Sequence, residues 1–196
     1  MKKSAIIWII IGIVVLSIFF WFKGGYNSMV NMSESVSAQW SNVENVYQRR
    51  LDLIPNLVNT VKGYAAHESN TLTEVMEARA KATQMQINFD QLDENTLKKL
   101  NAVQGELSSA LSRLLAVSEN YPNLKANENF LELQAELAGT ENRISVERRK
   151  FNDEARKYNS YIRMFPKNMI AGMFGFMVKP YFEATAGAEK APEVKF

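Results

Sequence analysis

The chain has no cysteine among its 196 residues, so disulfides and thiolate chemistry are both excluded. Redox compartment is left open, because a cysteine-free domain suits either side of a membrane. Histidine is nearly absent too. His67 stands alone, in the stretch AHES, and any dyad or triad built on imidazole has this one centre. The zinc-protease pattern H-E-x-x-H needs a second histidine where Thr71 stands, and the di-metal pattern E-x-x-H needs a glutamate where Tyr64 stands. A phosphate-binding P-loop, a G-x-G-x-x-G turn and a G-x-S-x-G nucleophile elbow are all missing. Acidic and basic side chains on helical spacing read as solvated faces, with no pair singled out as acid and base. These absences point away from an enzyme and from any cofactor or metal.

A basic surplus is also lacking. The 23 lysines and arginines face 21 acidic residues, and Lys2, Lys3 and Lys23 all flank the N-terminal apolar run. From Gly24 onward 20 basic residues meet 21 acidic ones, which excludes the electrostatic footprint of a nucleic-acid binder. The same balance excludes a domain-wide grip on anionic lipid.

What is present begins with a short basic N-terminus (1–3) and MKKSAIIWIIIGIVVLSIFFWFKGG, in which Ser4 to Phe22 form 19 residues without a charge. As a helix this run would reach about 28 Å, close to the ~30 Å of a bilayer's hydrocarbon. It exceeds the usual apolar core of a secretory signal, and Phe19-Phe20-Trp21-Phe22 replaces the small residues of a cleavage site. The reading is an uncleaved transmembrane helix over 4–22, with Trp8 and Trp21 near its ends. Two lysines before the span and one after it lean towards a cytoplasmic N-terminus and an exported domain. Gly24-Gly25-Tyr26-Asn27 suggests a hinge over 23–27, because glycine weakens helix continuity.

From about Ser28 helical spacing takes over, and strand signals, meaning alternating β-branched runs and hairpin turns, are missing. Trp40, Val43, Tyr47, Leu51, Ile54, Val58, Val61 and Ala65 fall three or four apart and form one stripe. Residues 63–70 are a candidate break, followed by Thr71 and Glu74 at capping-box spacing. Asn88 to Asn95 reads as a turn with a cap near Asn95. A third helix carries Leu97, Leu100, Val103, Leu107, Leu111 and Leu114, and stops before Pro122. The fourth keeps Phe130, Leu133, Leu137, Ile144, Phe151, Tyr158 and Phe165 in a seven-residue frame, with Thr140 and Glu147 at frame positions where apolar residues are expected. The fold class is therefore all-α: a transmembrane helix, then a long antiparallel bundle over 28–166 with coiled-coil-like packing. If 63–70 turns the chain, four helices run up-down-up-down; if not, three remain and the C-terminus lies far from the membrane.

Several stretches are candidates for structural or interaction roles. Pro55 sits inside the first stripe, where it deprives the Leu51 carbonyl of its helical partner; the register continues on both sides, which favours a kink over a stop. Arg49 and Arg50 adjoin Leu51, and Glu141 and Arg143 flank the fourth helix's stripe. Either one arginine meets Glu141 or Glu147 across the helix interface, or both snorkel to solvent. An apolar segment over 167–182 includes MIAGMFGFMV, whose Met169, Met173, Phe174 and Phe176 are framed by Lys167 and Lys179. Too short to span a bilayer, it would lie in the interface, cap the bundle or bind another chain. Residues 183–196 read as a flexible tail.

These stretches together resemble the LemA family of bacterial membrane proteins, almost to Phe196. The resemblance is carried by WSNVENVYQRRLDLIPNLVNTVKGYAAHE (40–68), EARAKA (77–82), ENYPNLKANENFLELQAELAGTENRI (119–144) and YNSYIRMFP (158–166), with FGFMVKPYFEA and APEVKF closing the chain. It implies a single-pass protein of the bacterial inner membrane carrying an antiparallel helical bundle. It also implies a family without established catalytic activity or active-site residues, with relatives associated with magnetosome membranes. The expected function is non-enzymatic, through self-assembly as a homo-oligomer or interaction with a membrane-protein partner, in organising or remodelling the bilayer. The alternative is an adaptor or regulatory subunit of a membrane enzyme such as a protease.

Overall fold

The computed structural model describes residues 3–85 and 87–183. It contains helices α1 (Lys3–Tyr64), α2 (Ser69–Gln84), α3 (Glu94–Ser118), the single turn α4 (Pro122–Lys125), α5 (Glu128–Arg163) and α6 (Lys167–Phe174), with a 3-10 turn at Phe89–Gln91. No strand occurs among the described residues.

Helix α1 is one rod of 62 residues, about 93 Å long at 1.5 Å per residue. Its first part is apolar and unpacked: every large apolar side chain from Ile6 to Trp21 is at least 45% exposed. This is the one described helix long and apolar enough to cross a membrane. The rod passes unbroken through Gly24-Gly25-Tyr26-Asn27, where the sequence suggests a hinge. Helical hydrogen bonds continue on both sides, and α6 packs so closely here that a Cβ on Gly25 would stand 3.0 Å from Ile170 Cδ1. The glycine makes room for a neighbour, and that contact holds the rod in line.

The apolar stripe of α1 is buried along its whole length, from Trp40 at 2% exposed through Ile54 and Val61 to Ala65 at 1%. Against it α5 runs antiparallel: Trp40 meets Phe151 at 5.6 Å between ring centroids, and Arg50 meets Glu141 at 2.6 Å. Helices α2 and α3 form an antiparallel hairpin over the distal half, tied by Glu74–Arg113 at 3.0 Å and Lys81–Glu106. The chain turns at Ala65–Glu68, so the bundle runs up-down-up-down and α5 returns towards the span.

Two apolar cores result. The distal core joins Leu57, Val61, Val75, Leu107, Leu114, Leu124 and Phe130 from all the bundle helices. The proximal core lies beyond the reach of α2, so chain without helix completes it. Leu92 from the α2–α3 loop and Phe182 from an extended strap (176–183) fill the space beside Trp40, Phe151 and Tyr158. Phe182 stacks on Trp40 at 6.1 Å and meets Phe151 edge-on at 5.4 Å.

Helix ends differ from the sequence expectations in instructive ways. No capping box forms at Thr71 and Glu74; α2 starts earlier, at Ser69, with Glu68 in the cap position but no side-chain capping bond. The Glu68 carboxylate instead accepts from the Tyr121 hydroxyl at 2.9 Å, tying the distal turn to the α3–α4 connection. Glu74 is drawn to α3 by Arg113. Asp93, not Asn95, caps α3 by accepting from the Thr96 N–H at 2.6 Å, and Asn127 caps α5 through the Phe130 N–H. Phe165 breaks the seven-residue frame of α5 and is 82% exposed, because the helix ends at Arg163 before Pro166 disfavours helical backbone at Phe165. Thr140 keeps its place in the frame, buried, by donating its hydroxyl to the Glu136 carbonyl at 2.8 Å. Glu147 is only half-buried, accepting from Gln39 Nε2 at 2.6 Å and pairing with Lys150 at 2.8 Å. Only Glu183 of the expected tail lies within the described residues.

Pro55 stays inside α1, and the carbonyl it frees is satisfied from another helix: Arg79 Nε on α2 donates to the Leu51 carbonyl at 2.9 Å. An unsatisfied buried carbonyl costs about 1–3 kcal/mol. Arg79→Met is therefore expected to destabilise the fold by about 1–2 kcal/mol in chemical denaturation. In a Pro55→Ala background, where Leu51 regains an intrahelical donor, the same change is expected to cost markedly less. Equal costs in the two backgrounds would show that Arg79 does not act on that carbonyl.

Candidate functional site

A polar belt separates the two cores, and Arg50 is its centre. The residue is 2% exposed, among the largest fully buried side chains of the protein. Its stripe position aims it inward between α3 and α5, where Nη1 donates to Ser108 Oγ at 3.0 Å and to Glu141 Oε2 at 2.6 Å, and Nη2 donates to Gln104 Oε1. The guanidinium also lies 5.7 Å from the Tyr47 ring centroid. Burial raises the Tyr47 phenol above its ordinary range, with the charges of Arg148 and Arg50 opposing the rise. Glu141 remains half in water, its side chain 54% exposed, so the pair is only partly desolvated.

The neighbouring candidates divide. Arg49 reaches outward to a surface pair with Glu136 at 2.8 Å, and Arg143 is exposed on α5 and outside the belt. Pro55 is a helix-shaping residue one turn further along. Gln104 and Ser108 were not legible as partners of Arg50, since a polar residue within a leucine stripe carries no sign of what it faces.

The second feature is the membrane-proximal end. The apolar segment expected over 167–182 divides at Gly175, whose φ of 72° ends α6 in left-handed backbone that glycine adopts without strain. Before that point, Ile170 and Ala171 pack on the bundle, while Met169, Met173 and Phe174 are 64%, 69% and 49% exposed. Phe174 nonetheless touches α1 edge-on, at 5.8 Å from Phe22 and 4.9 Å from Tyr26, and Phe176 meets Tyr26 at 5.6 Å. Phe22 closes the uncharged run, so α6 sits level with the end of the span.

Beyond Gly175 the strap climbs back along α5 and is clamped by two asparagines seven residues apart. Asn159 exchanges two hydrogen bonds with the Lys179 backbone, donating to its carbonyl and accepting from its N–H, both at 2.8 Å. Asn152 does the same with Phe182, both at 2.8 Å. Each amide meets a backbone donor and acceptor that would otherwise be costly to bury. Lys179 lies over the Phe89 ring at 4.0 Å, and burial pulls its amine below the usual lysine range, opposed by Asp90. Among the described residues no group of three His, Cys, Asp or Glu side chains could hold a metal ion. His67 is exposed in the distal turn.

A single apolar span continuous with an all-α bundle, with an exposed apolar end beside that span, is the build of a membrane-associated helical-bundle protein. Residues 39–196 match the LemA family model, and the chain belongs to that family. It is 33% identical over 176 residues to magnetosome protein MamQ 2 of Paramagnetospirillum magneticum, covering 81% of this chain and 64% of that one. To MamQ of Magnetospirillum gryphiswaldense it is 30% identical, covering 83% and 66%. To protein LemA of Metamycoplasma hominis it is 24% identical, covering 88% and 76%. The chain thus spans slightly less than two thirds of the MamQ relatives it matches.

Arg50 and Glu141 are expected to be energetically coupled. Arg50→Ala strands Gln104 and Glu141 and is expected to cost about 3 kcal/mol, whereas Glu141→Gln, whose partner keeps Ser108 and Gln104, should cost about 1 kcal/mol. A double-mutant cycle by chemical denaturation checks this; additive losses would mean that the 2.6 Å contact contributes nothing to stability.

Proposed function

We propose that this protein is a non-enzymatic membrane organiser that rests an apolar foot on the bilayer beside its own anchor. The observation that carries the reading is the exposed set Met164, Phe165, Met169, Met173 and Phe174, at the end of α5 and on α6, where Phe174 meets Phe22 at the level where α1 leaves the span. In water such a patch is a liability, and at the surface of a bilayer it is a contact. Methionine and phenylalanine suit acyl chains, and Lys23, Arg163 and Lys167 at the margin suit phosphate headgroups.

The physical action follows from the geometry. An interfacial helix buries its apolar face about 5–10 Å into the boundary of one leaflet. A foot held rigidly against the span adds cross-section to that leaflet alone, which acts as a wedge and favours curvature. The two relatives named magnetosome proteins support a role in shaping or organising a membrane. The bacterial inner membrane, with the bundle on the exported side, is the setting the flanking lysines favour.

The absence of cysteine makes the test direct. Met173→Cys and Phe165→Cys, spin-labelled in the full chain reconstituted in liposomes, are expected to show high collision with oxygen and protection from a water-soluble nickel chelate. Thr73→Cys, at the distal end, is expected to show the reverse. Chelate access at Met173 equal to that at Thr73 would overturn the foot. Spin–spin broadening relieved by dilution with unlabelled chain would assign the patch to contact between copies instead. In the same vesicles, Phe165→Asp with Met173→Asp is expected to reduce membrane deformation seen by electron cryomicroscopy while leaving insertion of the span unchanged.

A further inference from the structure

The bundle is balanced in charge as a whole, but the carboxylates of its long helices stop short of the membrane. None precedes Glu34 on α1, and none lies between Glu154 on α5 and Glu183 on the strap. Glu34 stands eleven residues beyond Lys23, about 16 Å along the rod. Glu154 stands nine residues before Arg163, about 13 Å along α5. The layer nearest the span therefore receives no acidic side chain from α1, α5 or α6. Its charged residues on those elements and the strap are Lys23, Arg156, Lys157, Arg163, Lys167 and Lys179.

Three of these cations have a carboxylate close by. Arg156 pairs with Asp153 at 2.9 Å and Lys157 with Glu154 at 2.7 Å, each reaching back one turn, and Asp90 of the α2–α3 connection acts on Lys179. The other acids of that connection are committed elsewhere: Asp93 caps α3 and Glu94 pairs with Lys98. Lys23, Arg163 and Lys167 have no carboxylate at ion-pair distance among the described residues. Lys167 Nζ lies 3.5 Å from the Tyr161 ring centroid, a contact that orients the ammonium without neutralising it. Further from the span, by contrast, Arg49, Lys81 and Arg113 each meet a glutamate on another helix.

The three unmet cations border the apolar foot. Lys23 follows Phe22, whose ring Phe174 touches. Arg163 immediately precedes Met164 and Phe165, and Lys167 opens α6 two residues before Met169. Charges screened by salt act over about 8–10 Å, so Glu34 on α1 does not cancel the field at this rim. Overall balance excludes a grip on anionic lipid by the whole domain and leaves a local one intact. Cations on long stems beside exposed methionine and phenylalanine match a molecule with an anionic head and acyl chains. A free anion would leave the apolar surface uncovered.

We propose that the rim of the foot selects acidic phospholipids, whose headgroup phosphates meet Lys23, Arg163 and Lys167 while their acyl chains pass Met169, Met173 and Phe174. The inference rests on the foot reading and adds a partner to it, since an apolar foot alone accepts any bilayer.

The test uses the full chain in phosphatidylcholine vesicles carrying a trace of spin-labelled phosphatidylglycerol or spin-labelled phosphatidylcholine. The motionally restricted fraction of each label reports which lipid the protein holds. Phosphatidylglycerol is expected to be favoured about fivefold, the contribution of one basic side chain after averaging over the lipid shell. Arg163→Gln with Lys167→Gln is expected to remove most of that preference. Arg156→Gln with Lys157→Gln, whose charges are already paired, should leave it, and so should the charge-keeping exchange Arg163→Lys with Lys167→Arg. Equal restriction of the two lipids, or a preference indifferent to the Arg163 and Lys167 neutralisation, would overturn the proposal. If the Met173→Cys label is still shielded from the nickel chelate in those vesicles, the foot stands without its lipid selectivity; chelate access there removes both. Loss of the preference to inorganic phosphate beyond that to chloride of equal ionic strength would assign the cations to a free anion and overturn the lipid.

Discussion

The antiparallel packing of α5 along the extramembrane length of α1 is the constraint on which the rest depends. A rod of 62 residues leaves the membrane in one piece, and only a partner of comparable length can bring the chain back to where it began. With its 36 residues, α5 does so. Every later feature is placed by that return: the short α6 against Gly25 and Phe22, the exposed methionines beside the span, and the strap laid back over α5. Were α5 two turns shorter, the apolar foot would hang in water.

The unequal length of the two hairpins has a second consequence. Helix α2 covers only the distal part of the α1–α5 pair, so the proximal core, reached by Leu97 and Leu100 at the start of α3 and by Ile170 and Ala171 of α6, is completed by pieces that are not helical. Backbone groups in such pieces must find partners outside regular structure. Asn152 and Asn159 meet that need with paired donor and acceptor bonds, and Phe182 supplies the apolar volume. Between the two cores α2 drops out of the packing, the start of α3, α6 and the strap take over beside α1 and α5, and the polar belt sits at that change. A buried arginine there costs desolvation that its three hydrogen-bonding neighbours, Ser108, Gln104 and Glu141, offset. Its register-setting value lies in how few alternative alignments of α1, α3 and α5 would satisfy it.

Much of this was legible in the residues and some was not. The stripe from Trp40 to Ala65 and the leucines of α3 lie buried as their spacing implies, because periodicity is a local property and burying one face is the dominant favourable term. Pro55 was legible as a helix-tolerated proline that orphans the Leu51 carbonyl. That Arg79 would answer it was not, since nothing in EARAKA states which carbonyl its arginine faces. The hinge at 23–27 was misread because glycine's intrinsic weakness in a helix was outweighed by close packing of α6, a contact from a segment about 145 residues away. The capping box at Thr71 lost to a start two residues earlier, where Glu68 and Glu74 each found a partner on another part of the bundle.

The sequence by itself determined the apolar span, the all-α class, the inward faces of the main helices and the apolar character of the segment after α5. Each of these follows from composition or from a period of three to four residues, and so from forces acting within a turn or two of chain. Only the tertiary structure decided that the apolar segment packs beside the span, that Arg50 is buried against Gln104, Ser108 and Glu141, and that asparagines clamp the strap. Those outcomes depend on interhelical register, which is set jointly by many weak contacts between residues far apart in the chain.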